Sequence, residues 1–141
     1  MADKYRVAHL DEVPVPVRPD PGSYTWRPIR HHLGVRAFGV NANQAAAGDW
    51  VVEEHTETGT SGTRHEELYY VARGHARFVV DGEEVDAPEG TLVLVPDPAA
   101  TRSARAVAAD TTVLAIGGEP GAAYRVSPWE KKYFPGDATD G

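Results

Sequence analysis

The stretch HEELYYVARGHARFVVDGEEV, residues 65–85, decides the fold of this chain of 141 residues. Residues 68–71 and 76–80 are rich in the aromatic and β-branched side chains that favour strands, and Gly74 separates the two runs. Asp81-Gly82 is the dipeptide that a two-residue hairpin turn requires. The stretch therefore predicts two strands and the start of a third, joined by tight turns.

The first of these strands carries polar side chains on one face. Side chains two residues apart on a strand point the same way, so His65, Glu67 and Tyr69 are predicted to share a face. A histidine beside a carboxylate can hold a metal ion or move a proton. We therefore expect a functional site on this face.

The composition indicates a single domain built of many short strands. The chain is long enough to bury a core, and its 14 glycines and 11 prolines fit strands joined by turns better than a helical bundle. A net charge of -7 argues against nucleic acid or an anionic membrane surface as a partner. Because the chain has no cysteine, any metal must be bound by nitrogen and oxygen atoms.

Two further observations predict a cytoplasmic protein that does not enter a membrane. The sequence has no apolar run of about 18 residues, which a membrane-spanning helix needs. The start MADKYRVAHLDE lacks the apolar segment of a signal peptide.

Taken in chain order, residues 1–141 are predicted to form one domain in three parts. Closely spaced prolines make residues 1–28 an extended arm, residues 29–118 form the β core, and residues 119–141 form a short C-terminal tail. Residues 41–48 are predicted as a connection. Outside the central hairpin, strands are predicted over residues 30–40, 49–55, 91–95, 102–107 and 111–116. Closely spaced strands without a long helix indicate an all-β sandwich or barrel.

Two motifs on either side of the hairpin resemble those of small single-domain cupins. One cupin motif ends in a glutamate, six residues and a glycine, and Glu67 and Gly74 fit this spacing. The second motif begins with a glycine, five residues and a proline, as in Gly90-TLVLV-Pro96. The resemblance covers residues 42–118 and implies a double-stranded β-helix, the cupin jelly roll, with a site at the mouth of the barrel.

The resemblance also implies a metal shell of three histidines and a glutamate, from which this chain departs. Where the two histidines of the first motif would stand it has Glu53-Glu54-His55, and the histidine of the second motif falls at Thr101. A divalent metal such as iron, manganese, zinc or nickel would need another set of nitrogen and oxygen donors. The candidate metal ligands are His55, His65, Glu67 and Glu53.

Metal-free chemistry is an alternative at the same place. A carboxylate beside a histidine in an apolar barrel can have its pKa raised and can shuttle a proton. The candidate catalytic residues are Glu67, His65 and Tyr69. A structural role is equally open for Glu67, as a buried carboxylate balanced by Arg77 or Arg102.

The sequence thus predicts a cupin that binds a small organic molecule in its barrel. The resemblance implies an isomerase, cyclase, lyase or oxygenase that uses metal-assisted or acid–base chemistry. The alternative is a non-catalytic ligand-binding or sensory cupin that lacks a metal. A homodimer is expected, through the Pro-rich arm or through an edge strand, because an unpaired edge invites pairing.

Overall fold

Nine strands form two antiparallel sheets in the computed structural model, which describes residues 3–58 and 63–136. The strands are β1 (Thr25–Arg27), β2 (Gly39–Ala45), β3 (Trp50–His55), β4 (Glu66–Arg73), β5 (His75–Val80), β6 (Glu83–Pro88), β7 (Leu92–Val95), β8 (Arg102–Ala106) and β9 (Thr111–Gly118). One sheet has the order β1-β2-β9-β4-β7 and the other the order β3-β8-β5-β6. The predicted all-β jelly roll is confirmed.

Helical structure is short in the described part of the chain. It consists of a 3-10 turn (Leu10–Glu12), helix α1 (Ile29–Leu33) and helix α2 (Pro128–Lys131). None of these helices is long and apolar enough to cross a membrane.

The hairpin predicted at Asp81-Gly82 is confirmed. Val80 pairs with Glu83, so two residues join β5 to β6. The φ angles of Asp81 and Gly82 are 47° and 83°. Positive φ at both central positions is what a type I′ turn needs, and this turn matches the twist of the two strands.

In the five-stranded sheet, residues that are directly paired across neighbouring strands point to the same face. The side chains on the inner face therefore form rows that run across the strands. The row through Glu67 consists of Gly39, Gly117, Glu67 and Val95. The next row consists of Asn41, Ala115, Tyr69 and Val93. The two glycines have no side chain, so the first row leaves space beside Glu67.

Beyond these rows the two sheets pack on an apolar core. Val71 pairs with Val113 in the five-stranded sheet, and Phe78 pairs with Ala104 in the other. All four side chains are buried. Tyr69 packs on Phe78 with ring centroids 5.4 Å apart, so the core supports the row that carries the predicted site.

The strand predicted over residues 30–40 is wrong. Ile29–Leu33 forms α1, and Gly34 ends this helix with a φ of 73°, the left-handed conformation that favours glycine after a helix. Strand β2 begins only at Gly39 and runs through residues predicted as a connection. Its alanines and asparagines have weak strand preference, but β2 pairs with β1 on one side and β9 on the other. Sheet pairing overrides the local preference here.

The predicted N-terminal and C-terminal segments both pack onto the barrel. Part of the N-terminal segment forms β1, which pairs with β2. The C-terminal segment supplies α2, and Glu130 of this helix forms an ion pair of 2.8 Å with Arg30 of α1. Both side chains are buried. Because separating a buried ion pair leaves two unpaired charges, this contact fixes the C-terminal segment against the barrel.

Candidate functional site

A cavity of about 410 Å³ lies between the two sheets, beside the row of glycines. This volume suits a small organic molecule. The walls come from strands of both sheets and from the segment that contains α2. Four titratable side chains on one wall lie near one another: His55, Glu57, His65 and Glu67.

The Glu67 carboxylate is held by two donors. The hydroxyl of Tyr69 and Nη1 of Arg102 both donate to its Oε1, the latter at 2.8 Å. The Arg102 side chain is fully buried, and it also donates to the backbone oxygens of Ala100 at 2.9 Å and Asp97 at 3.0 Å. Because these bonds hold the Arg102 guanidinium in place, it also sets the orientation of the Glu67 carboxylate.

His55 ends β3 opposite Arg102, and its ring faces two carboxylates. Nε2 lies 2.9 Å from Oε2 of Glu57 and 3.5 Å from Oε1 of Glu67. Nδ1 lies 2.8 Å from the backbone oxygen of Glu53. Because that oxygen can only accept, Nδ1 carries a proton, and the ring presents Nε2 to the carboxylates in a fixed direction.

Burial and charge oppose each other in this cluster. Burial alone lowers the pKa of His55, but hydrogen bonds to Glu57 and Glu67 outweigh it and raise this pKa to about 10. Burial alone raises the pKa of Glu67, but hydrogen bonds with His55 and Tyr69 and the charges of His55 and Arg102 outweigh it and lower this pKa. Burial, then the charge of Glu67, raises the pKa of Tyr69 well above its usual value. Tyr69 therefore remains a hydrogen-bond donor.

Glu57 is positioned by its backbone and by two side chains of the cavity wall. Its N–H donates to the Pro98 carbonyl at 2.8 Å. The Thr63 hydroxyl donates to its Oε1 at 3.3 Å, and Nδ1 of His65 lies 3.7 Å from the same oxygen. The buried His65 ring stacks on Tyr124 with centroids 5.4 Å apart. Glu57 thus faces the cavity from a fixed position.

Among the residues that the structure describes, His55, Glu57 and Glu67 form the group that could hold a metal ion. Each offers one atom, and the three atoms lie within 4.8 Å of one another. One imidazole nitrogen and two carboxylate oxygens suit a divalent transition metal. The hydrogen bond from Nδ1 of His55 to a backbone oxygen is the outer contact that metal-binding histidines usually make. The donor set therefore fits a divalent ion.

Comparison with known proteins bears on the fold. No family model matches the chain, and no curated protein matches it in sequence. A double-stranded β-helix protein from Klebsiella pneumoniae has a TM-score of 0.62 at 16% identity, with 88% of this chain and 98% of that chain covered. An RmlC-like cupin from Desulfovibrio desulfuricans has a TM-score of 0.61 at 23% identity, with 80% and 95% covered. This chain has the cupin fold.

Similar cupin structures include a protein described as an enzyme. It is a predicted oxalate decarboxylase from Thermotoga maritima, with a TM-score of 0.53 at 18% identity and with 68% of this chain and 78% of that chain covered. At these identities the likeness establishes the fold. The chemistry of this chain depends on its own residues.

The structure brings together only part of the metal-ligand set predicted from the sequence. His55 and Glu67 meet, as described above. Glu53 contributes only its backbone oxygen, because its carboxylate is exposed and accepts a hydrogen bond of 2.6 Å from the Ser23 hydroxyl. His65 contacts Glu57 instead. The three residues predicted as catalytic, Glu67, His65 and Tyr69, all line the cavity.

Glu57 is not among the residues predicted from the sequence, since it falls in the polar loop after β3. A signal for it exists in the spacing. His55 and Glu57 are separated by one residue, like the two histidines of the cupin motif, and both are common metal ligands. Glu57 could therefore have been identified as a carboxylate that replaces the second histidine of the motif.

Arg102 was one of two partners predicted for Glu67, and the structure shows it in contact. Arg77, the other, lies on an exposed surface 3.8 Å from Asp86. Arg102 directly follows Thr101, where the resemblance placed the histidine of the second motif. On the cavity wall where that histidine was expected, the buried guanidinium of Arg102 contacts Glu67 instead.

Proposed function

We propose that this cupin binds a small organic molecule in its cavity and acts on it with a divalent metal ion held by His55, Glu57 and Glu67. One observation carries the proposal: three donor atoms on the cavity wall lie within 4.8 Å of one another. Their mixture of nitrogen and oxygen suits iron, manganese, zinc or nickel. Isomerisation, cyclisation, elimination and oxygenation are the reactions that such a centre serves.

The contacts of each residue indicate its role at this centre. A bound ion would supply a Lewis acid that polarises an oxygen of the substrate. Arg102 and Tyr69 both hold Oε1 of Glu67 and so fix the carboxylate. Tyr69 keeps its proton, because its pKa is raised. His65, beside Glu57, is placed to exchange a proton with a ligand on that side of the cavity.

A metal-free cupin is the second candidate, and the ion pair between Glu67 and Arg102 favours it. The buried guanidinium lies 2.8 Å from the carboxylate and already supplies a positive charge there. The cavity would then bind a ligand without changing it, because the lowered pKa of Glu67 and the raised pKa of Tyr69 both oppose proton exchange with a ligand.

Metal content separates the two candidates. We expect reconstituted wild-type protein to bind about one equivalent of a divalent metal, and we expect His55→Ala and Glu57→Gln to lose it. Glu84→Gln removes an exposed carboxylate of β6 and serves as the matched control that keeps the metal. Wild-type protein that takes up no metal during reconstitution would reject the metal centre and favour the metal-free candidate.

We also propose that this cupin forms a homodimer through the outer face of its five-stranded sheet. Two apolar rows on this face end at the edge strand β7: Leu94, Leu68, Ile116 and Val40 in one, and Leu92, Tyr70 and Leu114 in the other, which ends at the buried Ala42. Leu92 and Leu94 are 62% and 55% exposed. Exposed leucines on an edge strand favour association. A twofold axis beside β7 would bring the same leucines of a second copy against them.

A further inference from the structure

The charged side chains that line the cavity are acidic. In the described part of the chain they are Glu53, Glu54, Glu57, Glu67 and Glu130, and no lysine or arginine lines the cavity. Arg30 and Arg102 contact two of these carboxylates from behind the wall. The divalent ion proposed above would add two positive charges, and Arg30 and Arg102 add one each, so the five carboxylates still exceed the positive charges by one. An anionic ligand would enter this cavity against its charge.

Glu53 and Glu54 are the two carboxylates of this set that form no ion pair with a basic side chain of the described residues. The contact of Glu53 is the neutral Ser23 hydroxyl, at 2.6 Å. Glu57 and Glu67, in contrast, both face His55. A cation entering the cavity therefore meets unshared negative charge at Glu53 and Glu54, and Glu53 is the one whose charge acts on Tyr24.

Aromatic rings surround the same end of the cavity. Tyr24, Trp26 and Trp129 line both this cavity and an adjoining one of about 210 Å³, whose charged lining residues are Arg18 and Asp20, one of each sign. The Trp26 and Trp129 rings meet edge to face with centroids 5.0 Å apart. Burial, then the charge of Glu53, raises the pKa of Tyr24 to about 12, so this ring is neutral and within reach of that carboxylate. Neutral rings beside a carboxylate favour an organic cation.

Two buried polar atoms of the cavity wall have no hydrogen-bond partner among the described residues. They are Nε1 of Trp26 and Oδ1 of Asn41. Both residues line the cavity, and the register places them on the same inward face of the five-stranded sheet. Trp26 is only 5% exposed. Because an unpaired buried N–H is costly, an oxygen atom of a ligand is the group that this indole would bind.

We propose that the ligand of this cavity is a small organic ammonium that also carries an oxygen acceptor. The cationic nitrogen lies between Glu53 and the rings of Tyr24 and Trp26, and the oxygen accepts from the Trp26 indole. This inference rests on the proposed function, of which it names the substrate class. It separates this cupin from the structurally similar predicted oxalate decarboxylase, whose named substrate is an anion.

Three probes of nearly equal shape test the charge preference. They are choline, its neutral isostere 3,3-dimethylbutan-1-ol, and the anion 3,3-dimethylbutanoate. Binding is measured by calorimetry and by quenching of tryptophan fluorescence. We expect choline to bind about tenfold more tightly than the alcohol and the anion to bind least. Equal affinities, tighter binding of the anion, or no binding of choline would each overturn the inference.

Substitutions locate the binding. Glu53→Gln is expected to weaken choline about tenfold and to leave the alcohol unchanged, whereas Glu84→Gln, which removes an equal charge from β6, changes neither. Trp26→Phe is expected to weaken both ligands, since both use the indole donor, and to weaken choline more, since its cation also contacts this ring. Loss of choline binding that is equal in Glu53→Gln and Glu84→Gln would show that only overall charge matters and would contradict the assignment.

The metal content of the same samples distinguishes failure of this inference from failure of the proposed function. If the protein binds metal but not choline, the proposed organic ammonium ligand is wrong and the proposed metal centre stands. If the protein binds choline selectively but binds no metal, the proposed metal centre is wrong and the proposed organic ammonium ligand stands.

Discussion

The side chain of Arg102 determines the position of the Glu67 carboxylate in the candidate site. Its guanidinium is fully buried and contacts Glu67 at 2.8 Å, while two backbone carbonyls accept hydrogen bonds from its Nε and Nη2. Arginine is suited to this position because it is always charged and carries several donors in a fixed plane. Sequence alone named Arg102 as a partner for Glu67 but could not choose it over Arg77, because that choice depends on which face of each strand points inward.

Removing Arg102 is predicted to destabilise the fold more than removing both members of its ion pair. Arg102→Met leaves the Glu67 carboxylate buried beside Tyr69 without its guanidinium, and we expect a loss of about 3 kcal/mol in the free energy of unfolding. The double variant Arg102→Met/Glu67→Leu should recover part of this loss. Urea denaturation measures both. A double variant no more stable than the single one would show that the charge of Glu67 is not the cause.

Tyr24 is predicted to make stability depend on pH in the alkaline range. Its pKa is raised from 10.0 to about 12 by burial and then by Glu53, so the folded state holds the proton more tightly than the unfolded state. The stability from this group is present below about pH 10 and is lost as the pH rises through about 12. Urea denaturation at a series of pH values should show a smaller loss for Tyr24→Phe than for wild type. Equal losses would contradict the assignment.

At the scale of the strands, the glycine row decides how much room the site has. Gly117 lies between Gly39 and Glu67 in the sheet. A Cβ atom at Gly117 would lie 2.9 Å from the Glu66 backbone oxygen and 3.2 Å from Cγ of Glu67. A methyl group there must displace the backbone of β4 or the side chain of Glu67.

Gly117→Ala is therefore predicted to lower the free energy of unfolding by about 1 to 3 kcal/mol and to weaken metal binding, because overpacking shifts Glu67. Gly118→Ala is the matched control, since a Cβ atom at Gly118 meets nothing within 4 Å. Urea denaturation and metal titration of the two variants test this. Equal behaviour of the two variants would contradict the packing argument.

The strands also show how far local sequence predicts this fold. The central hairpin could be predicted because Asp81-Gly82 determines a turn type by backbone sterics alone. Strand β2 could not, because its alanines and asparagines become strand only by pairing with β1 and β9. The candidate site was likewise predicted only where local sequence pattern determines the position of a residue. Alternation placed Glu67 and Tyr69 on one face, whereas Glu57 comes from a loop whose path depends on a backbone contact with Pro98.

At the scale of the whole molecule, the two end segments are part of the cavity. Trp26 from the N-terminal segment and Trp129 from α2 both line it. The buried pair of Arg30 and Glu130, separated by 100 positions in sequence, joins these walls. Such a contact leaves no local pattern, so the C-terminal segment could be predicted only as a tail.

The homodimer is the prediction that concerns the outer surface. Leu92→Lys combined with Leu94→Glu should convert a dimer to a monomer, because both leucines would lie in the interface. Val79→Lys, which replaces a 37% exposed side chain on the other sheet, is the matched control and should remain dimeric. Light scattering after gel filtration gives the mass. A wild type that is already monomeric would contradict the proposal.

The central claim is a metal centre at His55, Glu57 and Glu67, and anomalous diffraction from crystals grown with manganese or zinc tests it most directly. We predict one strong anomalous peak on the cavity wall, within about 2.3 Å of Nε2 of His55 and of an oxygen of each glutamate. A peak at any other group of residues would contradict this centre. So would the absence of a peak together with an unchanged contact between Glu67 and Arg102.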